Sequence, residues 1–367
     1  MSRRRRWLAA AALGALTAAA LLTVRFGSAA LLSLALAAPA SEPWLRPLGQ
    51  DVARQEIRLA ARGRLLEADL YGPSRRRAAL LLVHGLSPSG RRHPDLVRLA
   101  NLLAQRGQLV LVPHFEGLAA FRLSGDEVAE IRAALEYLRG LHGAVGVAGF
   151  SFGAGPALLA AADLPGLRLA ASFGGYADLR DVIAYVTTGV YRLDDRRYAA
   201  RQEEYNRWKL LALLSGFLGD RRDQERIERL ARIRLANPAE ETPALEASRG
   251  PEGRAVLALV LNRNEAAVDP LIASLPAGAR EAMAHLSPLA AVPRLSGKLL
   301  IAHGADDPSI PFTESLRLAG AAGGRARVVI LEGFHHTGPR PVWQSLGRRA
   351  LDGGRLLLLV DELLAGR

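Results

Sequence analysis

The sequence predicts an α/β fold, in which helices cover both faces of a mostly parallel sheet. Short apolar runs that are too brief for helices recur near residues 79–83, 108–112, 144–148, 167–173, 298–302 and 326–331. Amphipathic stretches alternate with them, near residues 94–106, 125–139, 153–163, 312–320 and 342–364. Strands that alternate with helices in this way typically form a parallel sheet between two helical layers.

The ends of this pattern carry two additions. Residues 41–53 read as a linker, and residues 55–60 and 65–71 alternate around a glycine turn, which predicts an opening hairpin. The stretch between Phe173 and Lys298 is far longer than the ~2–6 residues of an ordinary βα loop. It predicts an inserted helical cap, so that residues 54–178 and 298–367 form the core and residues 179–297 the cap. Helical spacing within the cap occurs in residues 194–218, 220–235, 251–263 and 269–286.

Residues 147–153, with the sequence VAGFSFG, form the most informative motif. An apolar strand runs into Gly-x-Ser-x-Gly, and an alanine-rich helix follows. This order is typical of a nucleophile elbow, a sharp strand-to-helix turn that holds a serine hydroxyl above the sheet. Gly149 and Gly153 remove side chains that would collide where the strand and the helix pack together. Ser151 is therefore the candidate nucleophile.

Two later strands also end in reactive residues. Residues 304–311 read Gly-x-x-Asp-x-x-Ile-Pro, with Asp307 as the acid, and residues 332–336 read Glu-Gly-Phe-His-His. The carboxyl ends of parallel strands meet at one edge of the sheet, so these loops are expected beside Ser151. A serine needs an imidazole to take its proton and a carboxylate to orient that imidazole.

On these motifs the chain resembles the α/β-hydrolase superfamily over most of residues 54–367, and it is most similar to dienelactone-hydrolase-like and carboxylesterase-like members. The resemblance implies Ser151 as nucleophile, Asp307 as orienting carboxylate and His336 as general base. Asp306 and His335 are the alternatives for the last two roles. Dienelactone hydrolases proper use a cysteine nucleophile, which this chain lacks, and this difference argues against their lactone substrate.

The oxyanion hole is expected at the strand that ends in His84 and Gly85. By the same resemblance, the backbone N–H groups of Leu86 and Phe152 would receive the oxyanion. The Gly-Gly-Gly run of lipases is absent, so Ser87 is a competing donor. We expect His84 to be structural and packed under this loop.

Further side chains are candidates for the substrate pocket. Tyr176, Asp178 and His114 follow strands at the same edge of the sheet. The cap aromatic residues are expected mainly to pack the cap, and these are Tyr185, Tyr191, Tyr198, Tyr205 and Trp208.

Composition excludes several classes of protein. The absence of cysteine excludes disulfides, a thiolate nucleophile and a cysteine-bound zinc site. The formal charge is +12, but the arginines beyond the N-terminus are interspersed with acids and aromatic residues make up only 5% of the chain, so nucleic acid is not an expected partner. The sequence has no His-Glu-x-x-His, phosphate loop or dinucleotide fingerprint, and we expect no metal or cofactor.

The N-terminus predicts export. Arg3–Arg6 precede the nearly uncharged residues 7–24, whose helical length of ~27 Å approaches the thickness of a hydrocarbon core. Residues 29–38 are also apolar, and Ala38-Pro39-Ala40 has the spacing of a signal-peptidase site. Residues 1–40 therefore form either an uncleaved signal anchor, which we favour, or a signal peptide cut before Ser41. In both cases the arginines stay in the cytoplasm and the catalytic domain lies outside it.

Together these features predict an exported or membrane-anchored serine hydrolase that cleaves small-molecule carboxylic esters, lipid-like esters among them, through an acyl-enzyme. The same triad also serves acyltransferases and peptidases, because the cap rather than the fold selects the acceptor. A catalytically inactive scaffold that binds a lipid or a partner protein is the alternative from another class.

Overall fold

Strands and helices alternate along the chain. The computed structural model describes residues 23, 25–247, 249–332, 334–335, 338–339 and 346–365. The strands are β1 (Val52–Ala61), β2 (Arg64–Pro73), β3 (Ala78–Val83), β4 (Gln108–Pro113), β5 (Val145–Phe150), β6 (Leu169–Phe173), β7 (Val190–Leu193), β8 (Arg196–Ala199), β9 (Lys298–Gly304), β10 (Ala326–Leu331), β11 (Phe334–His335) and β12 (Gly338–Pro339). The helices are α1 (25–37), α2 (Glu42–Leu45), α3 (Pro94–Gln105), α4 (Glu116–Ala119), α5 (Asp126–Leu141), α6 (Ala154–Ala162), α7 (Leu179–Thr188), α8 (Glu204–Ser215), α9 (Arg221–Ala236), α10 (Pro243–Ala247), α11 (Pro251–Leu261), α12 (Val268–Ala273), α13 (Ala277–His285), α14 (Phe312–Ala322) and α15 (Leu346–Leu364).

Eight strands form one sheet in the order β1-β2-β4-β3-β5-β6-β9-β10. Strand β2 is antiparallel to both of its neighbours, and the other neighbouring pairs are parallel. The predicted α/β fold with a mostly parallel sheet is therefore confirmed. Strands β3, β5, β6 and β9 lie side by side at the centre, so the loops at their carboxyl ends share one edge.

The central strands are apolar because both of their faces are covered. All six residues of β3 are buried, and alternate side chains enter two separate cores. Leu81 packs in the core that contains α5, α6 and most cap helices, whereas Leu80 and Leu82 pack in the core that contains α3 and α15. The sheet therefore separates two helical layers.

Helix α1 belongs to the second of these cores. Ala29, Leu32 and Ala35 recur every three residues and are at most 2% exposed. Arg25 pairs with Asp361 of α15, which ties the start of the helix to the end of the chain. The stretch after α1, predicted as a linker, is also attached to the domain, because Arg106 donates to the Leu48 carbonyl at 2.9 Å.

The predicted membrane span at residues 7–24 lies outside the described residues except for Thr23. Within the part of the chain that the structure describes, we find no helix with the length and apolar character needed to cross a bilayer. The boundary between targeting segment and domain, predicted at residue 40, stays a prediction.

The chain between β6 and β9 holds α7 to α13 and the hairpin β7–β8. The sequence predicted a helix from residue 194, and this was wrong for residues 194–203. Asp194 lies at the hairpin turn with a φ of 50°, and Tyr191 stacks on Tyr198 across the two strands at a ring distance of 5.0 Å. The last predicted cap helix is divided into α12 and α13 near Pro276, which precedes the first residue of α13.

Candidate active site

Ser151 lies on a strained turn between β5 and α6. Its φ is 50°, in the left-handed region that non-glycine residues rarely adopt, and the residue is partly exposed. The flanking glycines allow the turn. A Cβ at Gly149 would lie 2.8 Å from the Gly153 carbonyl oxygen, and one at Gly153 would collide with the His84 carbonyl. The turn has the strand–turn–helix geometry of a nucleophile elbow.

The loop after β3 passes directly beside this serine. A Cβ at Gly85 would lie 3.0 Å from the Ser151 Cβ and 3.6 Å from the Ser151 Oγ. The chain can approach so closely only because residue 85 is a glycine. Leu86 directly follows Gly85, and Phe152 directly follows Ser151. Each predicted oxyanion donor is therefore next in the chain to one of the two residues that approach each other.

Two buried side chains hold the Gly85 loop in place. His84 is 2% exposed, its Nε2 accepts the Phe115 N–H at 3.0 Å, and its Nδ1 is 2.8 Å from the Gly85 carbonyl. Burial lowers the pKa of His84 to about 4, so its ring is neutral at physiological pH. Arg91, at the end of the loop, donates to the fully buried Asp69 of β2 at 2.5 Å. His84 thus has the structural position expected from the sequence.

Asp307 and Asp306 differ sharply in their surroundings. Asp307 is 2% exposed, and its Oδ1 accepts the N–H groups of Ser309 at 2.8 Å and Ile310 at 3.1 Å. Its Oδ2 lies 3.4 Å from the Nε2 of His303, the residue four positions earlier on β9. Asp306 is exposed. A buried carboxylate that accepts two backbone N–H groups is well suited to orient an imidazole.

We call residues 305–311, which carry Asp307 between β9 and α14, the acid loop. The cap contacts the acid loop through three polar side chains, and the sequence did not predict these contacts. Tyr185 of α7 donates its hydroxyl to the Asp307 carbonyl at 2.7 Å. Asn206 of α8 donates to the Pro308 carbonyl at 2.8 Å and accepts from the Ser309 hydroxyl at 2.9 Å. Lys209, one turn further along α8, lies 3.3 Å from the Ser309 Oγ. The loop that carries Asp307 is thus bonded to the cap as well as to the sheet.

The predicted general base His336 lies outside the described residues. Its neighbour His335 belongs to the short strand β11, which pairs with β12 through His335 and Gly338. Strand β11 follows β10, which is parallel to β9 and beside it. The chain therefore returns to the neighbourhood of the acid loop just before His336, and the choice between the two histidines stays a prediction.

Several pocket candidates from the sequence have other partners. Tyr176 is fully buried, and its hydroxyl donates to the Leu286 carbonyl at 2.9 Å. Asp178 caps the first turn of α7 by accepting the Arg180 N–H at 2.9 Å. His114 lies close to Gly90, its Nε2 is 3.5 Å from a Glu116 carboxylate oxygen, and its ring centre is 5.7 Å from that of His84. Tyr176 and Asp178 thus connect elements of the fold through their polar groups.

A cavity of about 390 Å³ lies between the cap and the core, next to the loop after β3. Pro88, two residues after Leu86, lies on its wall, and Tyr205 and Ala212 of α8 face it from the cap. Phe121 also lines it, with a φ of 58° that is rare for an aromatic residue. The cavity adjoins Pro88 of the loop after β3 on one side, and on the other it adjoins α8, the helix that contacts the loop carrying Asp307.

Glu314, at the start of α14, connects the acid loop region to the loop after β6. It is 1% exposed, and its Oε2 accepts the N–H groups of Ala177 at 2.9 Å and Asp178 at 2.8 Å. Burial, with a smaller contribution from Asp181, raises the pKa of Glu314 to about 8. No group of three His, Asp or Glu side chains suited to a metal ion occurs among the described residues.

Comparison with known proteins gives likenesses of structure at low sequence identity. No protein-family model matches the chain, and a search of curated proteins gives no match. An acylaminoacyl peptidase of Pyrococcus horikoshii is similar over 81% of this chain, with 14% identity and a TM-score of 0.47. A puromycin-hydrolyzing peptidase of Mycobacterium tuberculosis is similar over 84% of it, with 17% identity and a TM-score of 0.48. The chain covers only 39% and 38% of these two proteins.

The esterase domain of a Rhodothermus marinus protein is matched over nearly its whole length. The likeness covers 82% of this chain and 95% of that domain, with 16% identity and a TM-score of 0.44. Because these sequence identities and TM-scores are low, we infer the chemistry of this chain from its own residues only. The mostly parallel sheet and the serine on a strand-to-helix elbow are the features of an α/β-hydrolase fold.

Proposed function

We propose that this protein is a serine hydrolase that cleaves carboxylic esters through an acyl-enzyme. The observation that supports the proposal is the backbone of Ser151, a partly exposed residue with a φ of 50° at the turn between β5 and α6. Strain of this kind costs ~1–3 kcal/mol and persists only where the surrounding structure requires it. A buried serine with a purely structural role would not need it.

In the proposed mechanism Ser151 Oγ attacks the ester carbonyl while His336 takes its proton. The carbonyl oxygen becomes an oxyanion, which the N–H groups of Leu86 and Phe152 stabilise. His336 then returns the proton to the departing alcohol, and the acyl group remains on Ser151. A water molecule then attacks the acyl group while His336 takes its proton and returns it to Ser151 Oγ, which releases the carboxylic acid and restores the serine. Asp307 orients the imidazole and stabilises its charged form.

The assignment of Asp307 rests on its burial and its two backbone hydrogen bonds, because the neighbouring Asp306 is exposed. That of Leu86 and Phe152 rests on the closeness of Gly85 to Ser151 and on their place in the chain. The role of His336 rests on the sequence motif alone. An inactive scaffold would not be expected to keep both the strained serine and the buried acid.

The test combines a fluorophosphonate probe with a panel of p-nitrophenyl esters, a thioester and an amide. We expect the protein to be labelled and to cleave esters fastest, and Ser151→Ala to lose turnover by about 10⁴-fold or more. Asp307→Asn and His336→Ala should be severely impaired, with Asp306→Asn and His335→Ala as matched controls of small effect. Labelling of Ser151→Ala would refute the nucleophile, and a preference for the amide would assign the protein to the peptidases.

We also propose that residues 7–24 anchor the protein in the membrane with the catalytic domain outside the cytoplasm. The support is the basic flank before that apolar run and the packing of α1, because cleavage before Ser41 would remove Leu32 from the core. Protease added to spheroplasts should degrade the domain, and carbonate should fail to extract it from membranes. A soluble exported product that begins at Ser41 would refute the anchor, and a protected cytoplasmic domain would refute export.

A further inference from the structure

Lys209 occupies a special position on the cap helix α8. Tyr205, Lys209 and Ala212 are four and three residues apart and so share one face of the helix. Tyr205 and Ala212 line the cavity beside the oxyanion loop, and the Lys209 ammonium reaches the acid loop at Ser309. Lys209 therefore shares a helix face with two cavity-lining residues and contacts the loop that carries Asp307.

The Lys209 ammonium makes few contacts with polar groups of the protein. It makes a 3.3 Å contact with the Ser309 Oγ and lies 5.3 Å from the ring centre of Tyr205. Every Asp and Glu of the sequence falls within the described part of the chain, and none of them is at ion-pair distance from Lys209 there. An ammonium carries three donors, so this site leaves hydrogen-bonding capacity unused.

Two arginines that are at most 3% exposed have more partners. Arg91 is paired with Asp69 and Glu67, and Arg207, also on α8, donates to the Thr187 carbonyl at 2.9 Å and the Asn262 carbonyl at 3.0 Å. Lys209 is partly buried, and burial lowers the pKa of its ammonium below the ordinary value against the opposing attraction of Asp307 and Glu203. Removing a cation from water without a paired anion is unfavourable, and the cost is recovered if a ligand supplies the anion.

The cavity lined by Tyr205 and Ala212, on the same face of α8 as Lys209, suits the remainder of such a ligand. Its wall is largely apolar, and it carries two arginines but a single acid. Arg122 lies 3.9 Å from that acid, Glu228, and Arg232 lines the same wall. The charge around the cavity is therefore positive, which favours an amphiphilic anion over a neutral or cationic molecule.

We propose that Lys209 binds an anionic group of the substrate, so that the preferred substrates are esters that carry a free carboxylate, such as monoesters of dicarboxylic acids. This inference rests on the proposed ester hydrolysis at Ser151. The cap would then select the substrate by charge, while the elbow and the acid loop supply the chemistry.

The test compares monoethyl adipate with diethyl adipate, which differ only in the free carboxylate. We expect wild-type kcat/KM to favour the monoester, and Lys209→Met to lower the ratio of the monoester kcat/KM to the diester kcat/KM by about tenfold or more. Lys209→Arg should retain part of the preference. Lys298 is the only other lysine of the chain and is 65% exposed, so Lys298→Met is the matched control.

A positioning role for Lys209 would give a different result. If the side chain only held the acid loop, Lys209→Met would lower kcat for both esters equally, and this outcome would overturn the proposal. An absence of preference for the monoester in the wild-type protein would overturn it as well.

Binding separates this inference from the proposed function. Monoethyl adipate should bind to Ser151→Ala in calorimetry, and its affinity should fall about tenfold or more in the Ser151→Ala, Lys209→Met double variant. Equal affinities would refute the role of Lys209. If binding follows the prediction while the wild-type protein is neither labelled by a fluorophosphonate nor active on any ester, the proposed hydrolysis is wrong and anion binding by Lys209 stands.

Discussion

Replacing Leu32 by alanine tests whether α1 is an integral part of the catalytic domain. Leu32 is 1% exposed, so the substitution loses nearly the whole transfer free energy of the removed carbons, about 2.4 kcal/mol at ~0.8 kcal/mol per carbon. Helices α3 and α15, which share this core, have other contacts that limit collapse around the gap, so a cavity remains and adds to the cost. We expect a loss of about 3 kcal/mol in the free energy of unfolding.

The matched control is Leu34→Ala, on the outer face of the same helix. Leu34 is 47% exposed, and its truncation should cost about 1 kcal/mol or less. Both variants would be measured by denaturant unfolding of the full-length protein in detergent, with unchanged m-values as the sign of a pure stability effect. If Leu32→Ala and Leu34→Ala are equally stable, α1 does not pack on the domain, and a mature protein that begins at Ser41 would lose nothing.

Three further substitutions test the site and its supports. Ser151→Gly should be about 1 kcal/mol more stable than Ser151→Ala in denaturant unfolding, because glycine adopts a φ of 50° without strain, and equal stabilities would mean that the turn is relaxed. Arg91→Met should cost about 3–5 kcal/mol because it leaves the carboxylate of Asp69 buried without its closest cation, whereas the exposed Arg92→Met should cost less than about 0.5 kcal/mol, and similar costs would contradict the buried pair. Since the folded-state pKa of Glu314 is raised to about 8, the folded protein retains a proton that the unfolded chain releases above about pH 4.5, and stability falls as the pH rises through this window. Glu314→Gln should remove that fall, so that its advantage over wild type in unfolding free energy grows from pH 5.5 to pH 7.5; a constant difference would refute the raised pKa.

Hydrophobic period alone predicted most of the core. After the first hairpin, the strands of the main sheet began and ended within two residues of their expected bounds, because they are mostly apolar and the central ones are buried on both faces. The elbow at Ser151 was also predictable, since its glycines are required by contacts within a few residues of the chain. Steric requirements that arise between residues close in the chain can therefore be recognised in the sequence.

The rest depended on contacts between distant segments. The hairpin around Asp194 is short, and half of residues 190–199 are charged. Its two strands therefore carry no alternating apolar pattern. The acid loop contacts Tyr185, Asn206 and Lys209 of the cap. Predicting these contacts requires knowing how the cap packs on the core, which residue spacing in the sequence does not give. Helix α1 was interpreted as part of a targeting segment because a short apolar stretch beside a predicted span has the same composition whether it meets lipid or protein.

The bonds between the cap and the acid loop bear on how such an enzyme can be re-engineered. Exchanging a cap is an obvious way to change specificity while keeping the catalytic machinery. Here the exchange would also remove the hydroxyl that holds the Asp307 carbonyl and the amide that holds Pro308 and Ser309. A grafted cap would therefore have to bring equivalents of Tyr185 and Asn206, or Asp307, the proposed triad acid, would lose its position along with the old substrate preference.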